Sequence, residues 1–167
     1  VRQPSTSGNA NHYVEWAKSV SGISDAKAIE LWNGNGTVKV ILLDDEKTSP
    51  DASKVQEVAD YIESVRPVCV DVTVVGATEV NINVSATLTL KSGSTLSEAQ
   101  TQIESALTTY LKGLAFKDSV VRYSQIANLI LEADAILDYS NLTVNSGTSN
   151  ISIGNESVAV RGTVTLS

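Results

Sequence analysis

From Val80 to Leu90 the chain alternates without a break. Val80, Ile82, Val84, Ala86, Leu88 and Leu90 fall on one side, and Asn81, Asn83, Ser85, Thr87 and Thr89 on the other. A period of two sustained over that length fits a β-strand with one face buried and one face open. At 3.3 Å per residue such a strand is about 35 Å long, more than a small sheet requires, so it is expected to bend or to bridge two subdomains. The rest of the chain must supply an apolar cover for one face of this strand.

That cover follows directly. "SGSTLSEAQ" offers Ser94 or Thr95 as a helix N-cap, with Glu98 placed to complete a capping box. Leu96, Ala99, Ile103, Ala106, Leu107, Tyr110 and Leu111 then recur at the spacing of one helix face. A shorter helix is predicted over Tyr123 to Ala133, with Ile126, Ala127 and Ile130 inward. Ala135 to Val144, Ile151 to Ile153 and Ser157 to Leu166 read as strands, the last carrying Val158, Val160, Val164 and Leu166 in alternation. Turns at Asn145 to Asn150 and Gly154-Asn155 separate them, so a closing β-meander is expected.

Upstream, Tyr13, Trp16, Ala17 and Val20 share a helix face, and Gly22 stands where helices commonly end. Lys27 to Trp32 and Thr37 to Leu43 read as two strands joined through Asn33 to Gly36, a β-hairpin. Pro50 and Asp51 open a helix whose stripe Val55, Val58, Ala59, Ile62 and Val65 stops before Pro67. Val70, Val72 and Val74 then alternate with Asp71 and Thr73, and the strand, helix, strand order implies a right-handed crossover. Gly76 and Ala77 mark the obvious internal boundary. The expected fold is α+β in two small subdomains, each a mostly antiparallel or mixed sheet covered by helices. A linker or arm is expected at 1–9, a first subdomain at 10–77 (helix, hairpin, helix, strand) and a second at 78–167 (long strand, two helices, meander).

Composition narrows the function classes. No apolar run approaches the roughly 20 residues that cross a bilayer as a helix. A net charge of -7 removes the attraction that supplies most non-specific affinity for nucleic acid, and sets the chain against an anionic membrane surface. Neither is expected as a partner. Cys69 is the one cysteine, which excludes an intrachain disulfide and a cysteine-based zinc site within one chain. The chain has no methionine and opens on "VRQPSTSGNAN", so it is expected to be a fragment or processed product.

The groups that suggest chemistry each have a plainer reading. Gly34 and Gly36, in "LWNGNGTVKVILLD", invite comparison with a phosphate-binding loop, but Thr37 to Ile41 favour a strand where that mechanism needs a helix N-terminus. A hairpin turn is preferred. Ser24 and Lys27 have Ser-x-x-Lys spacing, yet Ser24 and Asp25 look like a turn before a strand, and the companion motifs of that enzyme class are missing. His12 is the only histidine; at a helix start it reads as solvated or capping. Asp44, Asp45 and Glu46 lack the spaced ligands and central glycine of a calcium loop and read as a solvated turn. Cys69, beside the strand at Val70, is expected to be a buried thiol packed as a small hydrophobe. The sequons at Asn35, Asn83, Asn141, Asn150 and Asn155 are expected by chance in a chain so rich in Asn, Ser and Thr. No catalytic, cofactor-binding or metal residue is assigned. What remains is a set of strand faces bearing Thr, Ser and Asn, which suit contact with other proteins and ordinary solvent equally.

The order of features resembles a known family. "TSGNANHYVEWAKSVSGISDAKAIELWNGNGTVKVILLD", then "SP" and a helix ending in "VRPVCVDVTVVGAT", is similar to the baseplate J-like proteins of contractile-tailed bacteriophages, in particular the XkdT type of PBSX-like prophages. The resemblance is carried by Gly8, Asn9, Tyr13, Trp16, Ala17, Gly22, Trp32, Gly34, Gly36, Thr37, Val38, Pro50, Arg66 and Pro67, in that order. It is densest from residue 7 to 78. It implies a structural component of a tail baseplate, a wedge subunit around the central hub, located in the virion tail and assembled in the bacterial cytoplasm. Its implied partners are hub, neighbouring wedge and fibre-connecting proteins. It implies no catalysis and transfers Trp16, Trp32, Gly34, Gly36 and Pro67 as fold determinants only. A carbohydrate- or receptor-binding tip module is the alternative, and a metal-dependent enzyme fragment a more distant one.

Overall fold

A computed structural model describes residues 9–167, and the chain divides between Thr78 and Glu79 into two compact units. The arm expected at 1–9 lies outside the described residues except for Asn9, which belongs to the first helix as its N-cap. The fold is α+β in two small subdomains, each described here by itself.

The first unit opens with α1 (Ala10–Ser19), where Asn9 Oδ1 accepts the backbone N–H of His12 at 3.1 Å. Strands β1 (Ile23–Glu30) and β2 (Thr37–Asp44) pair antiparallel. Helix α2 (Ala52–Val65) is capped by Asp51, whose Oδ1 accepts the N–H of Lys54 at 2.8 Å, and β3 (Asp71–Gly76) runs parallel to β2. The order is β1-β2-β3, so β2 is central, and its Val38, Val40, Ile41, Leu42 and Leu43 are buried. Tyr13 and Ala17 of α1 and Val58 and Ile62 of α2 pack with Val38, Val40 and Leu42 into one core. A strand buried on both faces reads as a continuous apolar run, as Val40 to Leu43 does.

Several expectations for this unit are corrected. Ser24 and Asp25 are not a turn: β1 begins at Ile23 and carries a register shift between Ile23 and Asp25. Such a bulge breaks the local alternation and resembles a turn in sequence. The strand also ends at Glu30, because Leu31 adopts φ 57 and turns the chain before Trp32. Val65 is exposed, at the last position of α2. Cys69 is exposed rather than buried, with φ 70, in the turn between α2 and β3. The turn is organised by Arg66, which donates to the carbonyl of Val70, so the chain swings outward before β3 begins.

The second unit is built on the alternating strand, β4 (Thr78–Leu90). Helix α3 (Leu96–Leu114) has the full capping box of Thr95 and Glu98. Then come β5 (Val120–Val121), α4 (Tyr123–Leu131), β6 (Ile136–Val144), β7 (Ile151–Ser152) and β8 (Ser157–Leu166). Ile82, Val84 and Ala86 pack against Ala99, Ile103 and Leu107 of α3 and Ile126 and Ile130 of α4. The β4–β6 register shifts at Ser85/Thr87 and Thr89/Leu90, and at both places the extra residue lies on β6, so the bulges belong to β6 while β4 runs on as read.

The closing meander is corrected. β4 lies between β6 and β8, and β7 pairs instead with β5, an element the sequence reading missed. Ser167 donates to Ala86 O and accepts from Leu88 N, the pattern of a parallel pair, which no tight hairpin can generate. The longest alternating strand takes the centre because there both its edges are hydrogen-bonded. Leu96, expected inward, is exposed at the first turn of α3, and α4 ends at Leu131 rather than Ala133.

Candidate functional site

The glycine loop is closed by its own chain. Leu31 N–H donates to Thr37 O at 2.8 Å and Gly34 N–H to Leu31 O at 3.3 Å. Thr37 Oγ1 donates to Gly34 O at 2.7 Å and accepts from Asn33 N–H at 3.1 Å. Gly36 O accepts the N–H of Asp71 at 2.7 Å, tying the loop to the turn that carries Cys69. Both glycines have positive φ, 99 for Gly34 and 76 for Gly36, and the loop leads into β2, not into a helix. Its polar groups are spent on the reversal.

The other candidates are held apart by the fold. Ser24 sits at the bulge of β1, where its Oγ donates to the carbonyl of Asp44, and Lys27 lies in the regular part of the strand beyond it. Burial lowers the Lys27 pKa, opposed by the Asp25 carboxylate. Asp44 Oδ1 accepts from the N–H groups of Glu46 and Thr48 at 3.0 and 2.9 Å, and Oδ2 from Thr48 Oγ1 at 2.8 Å. That carboxylate organises its own turn. Among the described residues no group of three His, Cys, Asp or Glu is placed to hold a metal. His12 stacks on Trp16, ring centroids 4.3 Å apart, and Trp16 meets Tyr13 edge-on at 5.2 Å.

Two surfaces have the character of contact sites. The first is the end of the sheet where the Leu31–Gly36 loop meets the Pro67–Val70 turn. Leu31 is 63% exposed, Trp32 41% and Val68 90%, with Lys39 Nζ 4.9 Å from the centre of the Trp32 ring. Apolar residues in loops follow no periodicity, so nothing in the pattern of residues marked these as lying at one end of the sheet. The second is the outer face of β6-β4-β8. Ser85 lies opposite Thr143, Thr87 opposite Ser140 and Thr89 opposite Asp138. Thr163 and Thr165 of β8 are exposed as well, so this face is largely uncharged and rich in hydroxyls.

Comparison with known proteins places the chain. Residues 5–76 match the Baseplate J-like central domain and residues 82–167 the Baseplate J-like protein C-terminal domain. The chain is 32% identical, over 98% of its length, to the phage-like element PBSX protein XkdT of Bacillus subtilis (strain 168), and covers 49% of that protein. It is 41% identical over 64 residues to baseplate protein gp47 of Escherichia phage Mu, covering 37% of this chain and 18% of that one. The chain thus spans about half the length of XkdT or less of the relatives it matches. Its fold is similar to a chain in the cryo-EM structure of the anti-feeding prophage baseplate, with TM-score 0.67 and 10% identity, over 90% of this chain and 36% of that one. With both domain models matched in sequence order across its length, the chain belongs to the Baseplate J-like family.

Proposed function

We propose that the chain is a structural part of a contractile-tail baseplate, a wedge component that surrounds the tail hub and works by protein–protein assembly rather than catalysis. The observation that carries this reading is the succession of the two Baseplate J-like domains, central then C-terminal, along the chain. Its partners on this reading are hub, neighbouring wedge and fibre-connecting proteins, with no nucleic acid or membrane among them. It resides in the virion tail and is assembled in the bacterial cytoplasm.

The experiment is immunogold labelling of purified tails with antibodies raised against this chain. Label at one end of the tail, where the baseplate sits, is the expected result. Label along the tube, or none on intact tails, would overturn the reading.

One observation favours a receptor-binding tip: Trp32 is 41% exposed in the loop after β1. Carbohydrate sites commonly stack sugars on such rings. Glycan-array binding abolished by Trp32→Ala would replace the assembly reading with this one.

A further inference from the structure

Helices α3 and α4 leave an open groove of about 550 Å³ between them. Its floor is apolar, made by Ala106 on α3 and by Leu129 and Ala133 on the α4 side, while Ser105 forms part of the wall. Glu132 and Asp134 stand on the rim, and no basic side chain lines the groove. Glu132 is also the C-cap of α4, whose last turn carries no basic residue. The negative end of that helix therefore adds to the two carboxylates, and the hydrogen bond that Glu132 Oε1 accepts from Asn128 Nδ2 at 3.0 Å brings no counter-charge. Negative potential from three sources over an apolar floor defines the missing complement: a cation carried next to an aliphatic side chain.

We propose that the α3–α4 groove is a docking site for a basic segment of a partner protein, with an aliphatic side chain seated on Ala106, Leu129 and Ala133 and a Lys or Arg meeting Glu132 and Asp134. That the occupant belongs to a protein rests on the assembly reading above. The charge preference rests on the groove alone. Docking of this kind is weak per contact, falls with salt, and selects partners by sign of charge.

The test is a two-dimensional NMR titration of the whole chain with three probes, acetyl-Lys-Leu-Lys-amide, acetyl-Gln-Leu-Gln-amide and acetyl-Glu-Leu-Glu-amide. The lysine peptide is expected to shift amides of residues 101–106 and 129–134 at millimolar concentration, with less effect at high salt. Glu132→Gln combined with Asp134→Asn is expected to weaken it about fivefold or more. Ser105→Lys, which supplies an internal cation at the groove wall, is expected to weaken it likewise. Both changes are at exposed positions, and unchanged spectra elsewhere would show that the fold is retained. Equal shifts with all three peptides, shifts outside the groove, or no shift up to about 10 mM would overturn the proposal. Such a failure leaves the location of the chain in the particle untouched, which immunogold labelling reads separately.

Discussion

The side chain of Asn83 occupies the space that a Cβ on Gly162 would need. Asn83 Oδ1 accepts the N–H of Thr163 at 2.8 Å, and the N–H of Asn83 donates to Asn145 Oδ1 at 2.8 Å. One asparagine thus joins β4 to β8 and to the end of β6. Gly162→Ala is expected to force Asn83 off Thr163 and to destabilise by about 1–3 kcal/mol in urea unfolding. Because the two residues share one space, Asn83→Ala should remove much of that penalty in the double variant. Additive costs would contradict the assignment.

The hairpin glycines differ in what surrounds them. A Cβ at Gly34 meets nothing within 4 Å, whereas one at Gly36 comes 3.3 Å from Cys69 O. Gly34→Ala should cost about 1 kcal/mol from its positive φ alone. Gly36→Ala should cost more, since the turn bearing Cys69 must give way too. Equal midpoints in denaturant for the two variants would remove the packing contribution.

Tyr13 is fully buried in the first core, and its hydroxyl finds no hydrogen-bond partner among the described residues. Tyr13→Phe removes that group without changing the ring. Stability should stay level or rise by about 1 kcal/mol, the reverse of a core truncation. Burial raises the Tyr13 pKa, partly opposed by Arg66. A raised folded pKa means its contribution is intact below the unfolded value and is lost as pH rises through the folded one. Tyr13→Phe should therefore flatten the alkaline loss of stability, read by thermal unfolding at successive pH values.

Arg66 acts both on a side chain and on the backbone of the turn. Its Nε and Nη2 reach Glu63 at 2.5 and 2.6 Å, and its Nη1 donates to Val70 O. Arg66 holds the Glu63 pKa down, so that contribution is present above the unfolded carboxylate pKa and fades as pH falls through the lower folded one. Glu63 is exposed, and Glu63→Gln should scarcely move stability near neutral pH. Arg66→Ala also loses the tie to the turn and should lower the denaturation midpoint more than Glu63→Gln does. It should speed hydrogen exchange at Asp71 N–H, which that turn presents to Gly36 O.

Much of the fold was legible where the signal was local. The alternation through β4, the stripe of α2 and the Thr95–Glu98 box each depend on residues within a few positions of one another, and each formed as read except for Val65 at the end of the stripe. Strand order was not legible. Periodicity assigns a face to each strand but no neighbour, so nothing in β6 or β8 announced that β4 would separate them. The same limit hid β5, two residues long, whose partner β7 lies across an intervening helix and strand. Cys69 was misplaced because its exposure is set by Arg66 and a left-handed turn, not by the valines that follow. As for the surfaces, the hydroxyl-bearing face of β4 was readable from alternation. The apolar end at Leu31, Trp32 and Val68 and the acidic groove between α3 and α4 were not, because each joins segments distant in sequence.

The central claim, that the chain is built into a baseplate, is tested most directly by a cryo-EM map of purified tail particles from the source of the sequence. The account predicts density at the distal end of the tail into which the two α+β units, 9–78 and 79–167, fit as successive domains of one chain. Complete baseplates in which no density accepts either unit, with the protein absent from the particles by mass spectrometry, would contradict it.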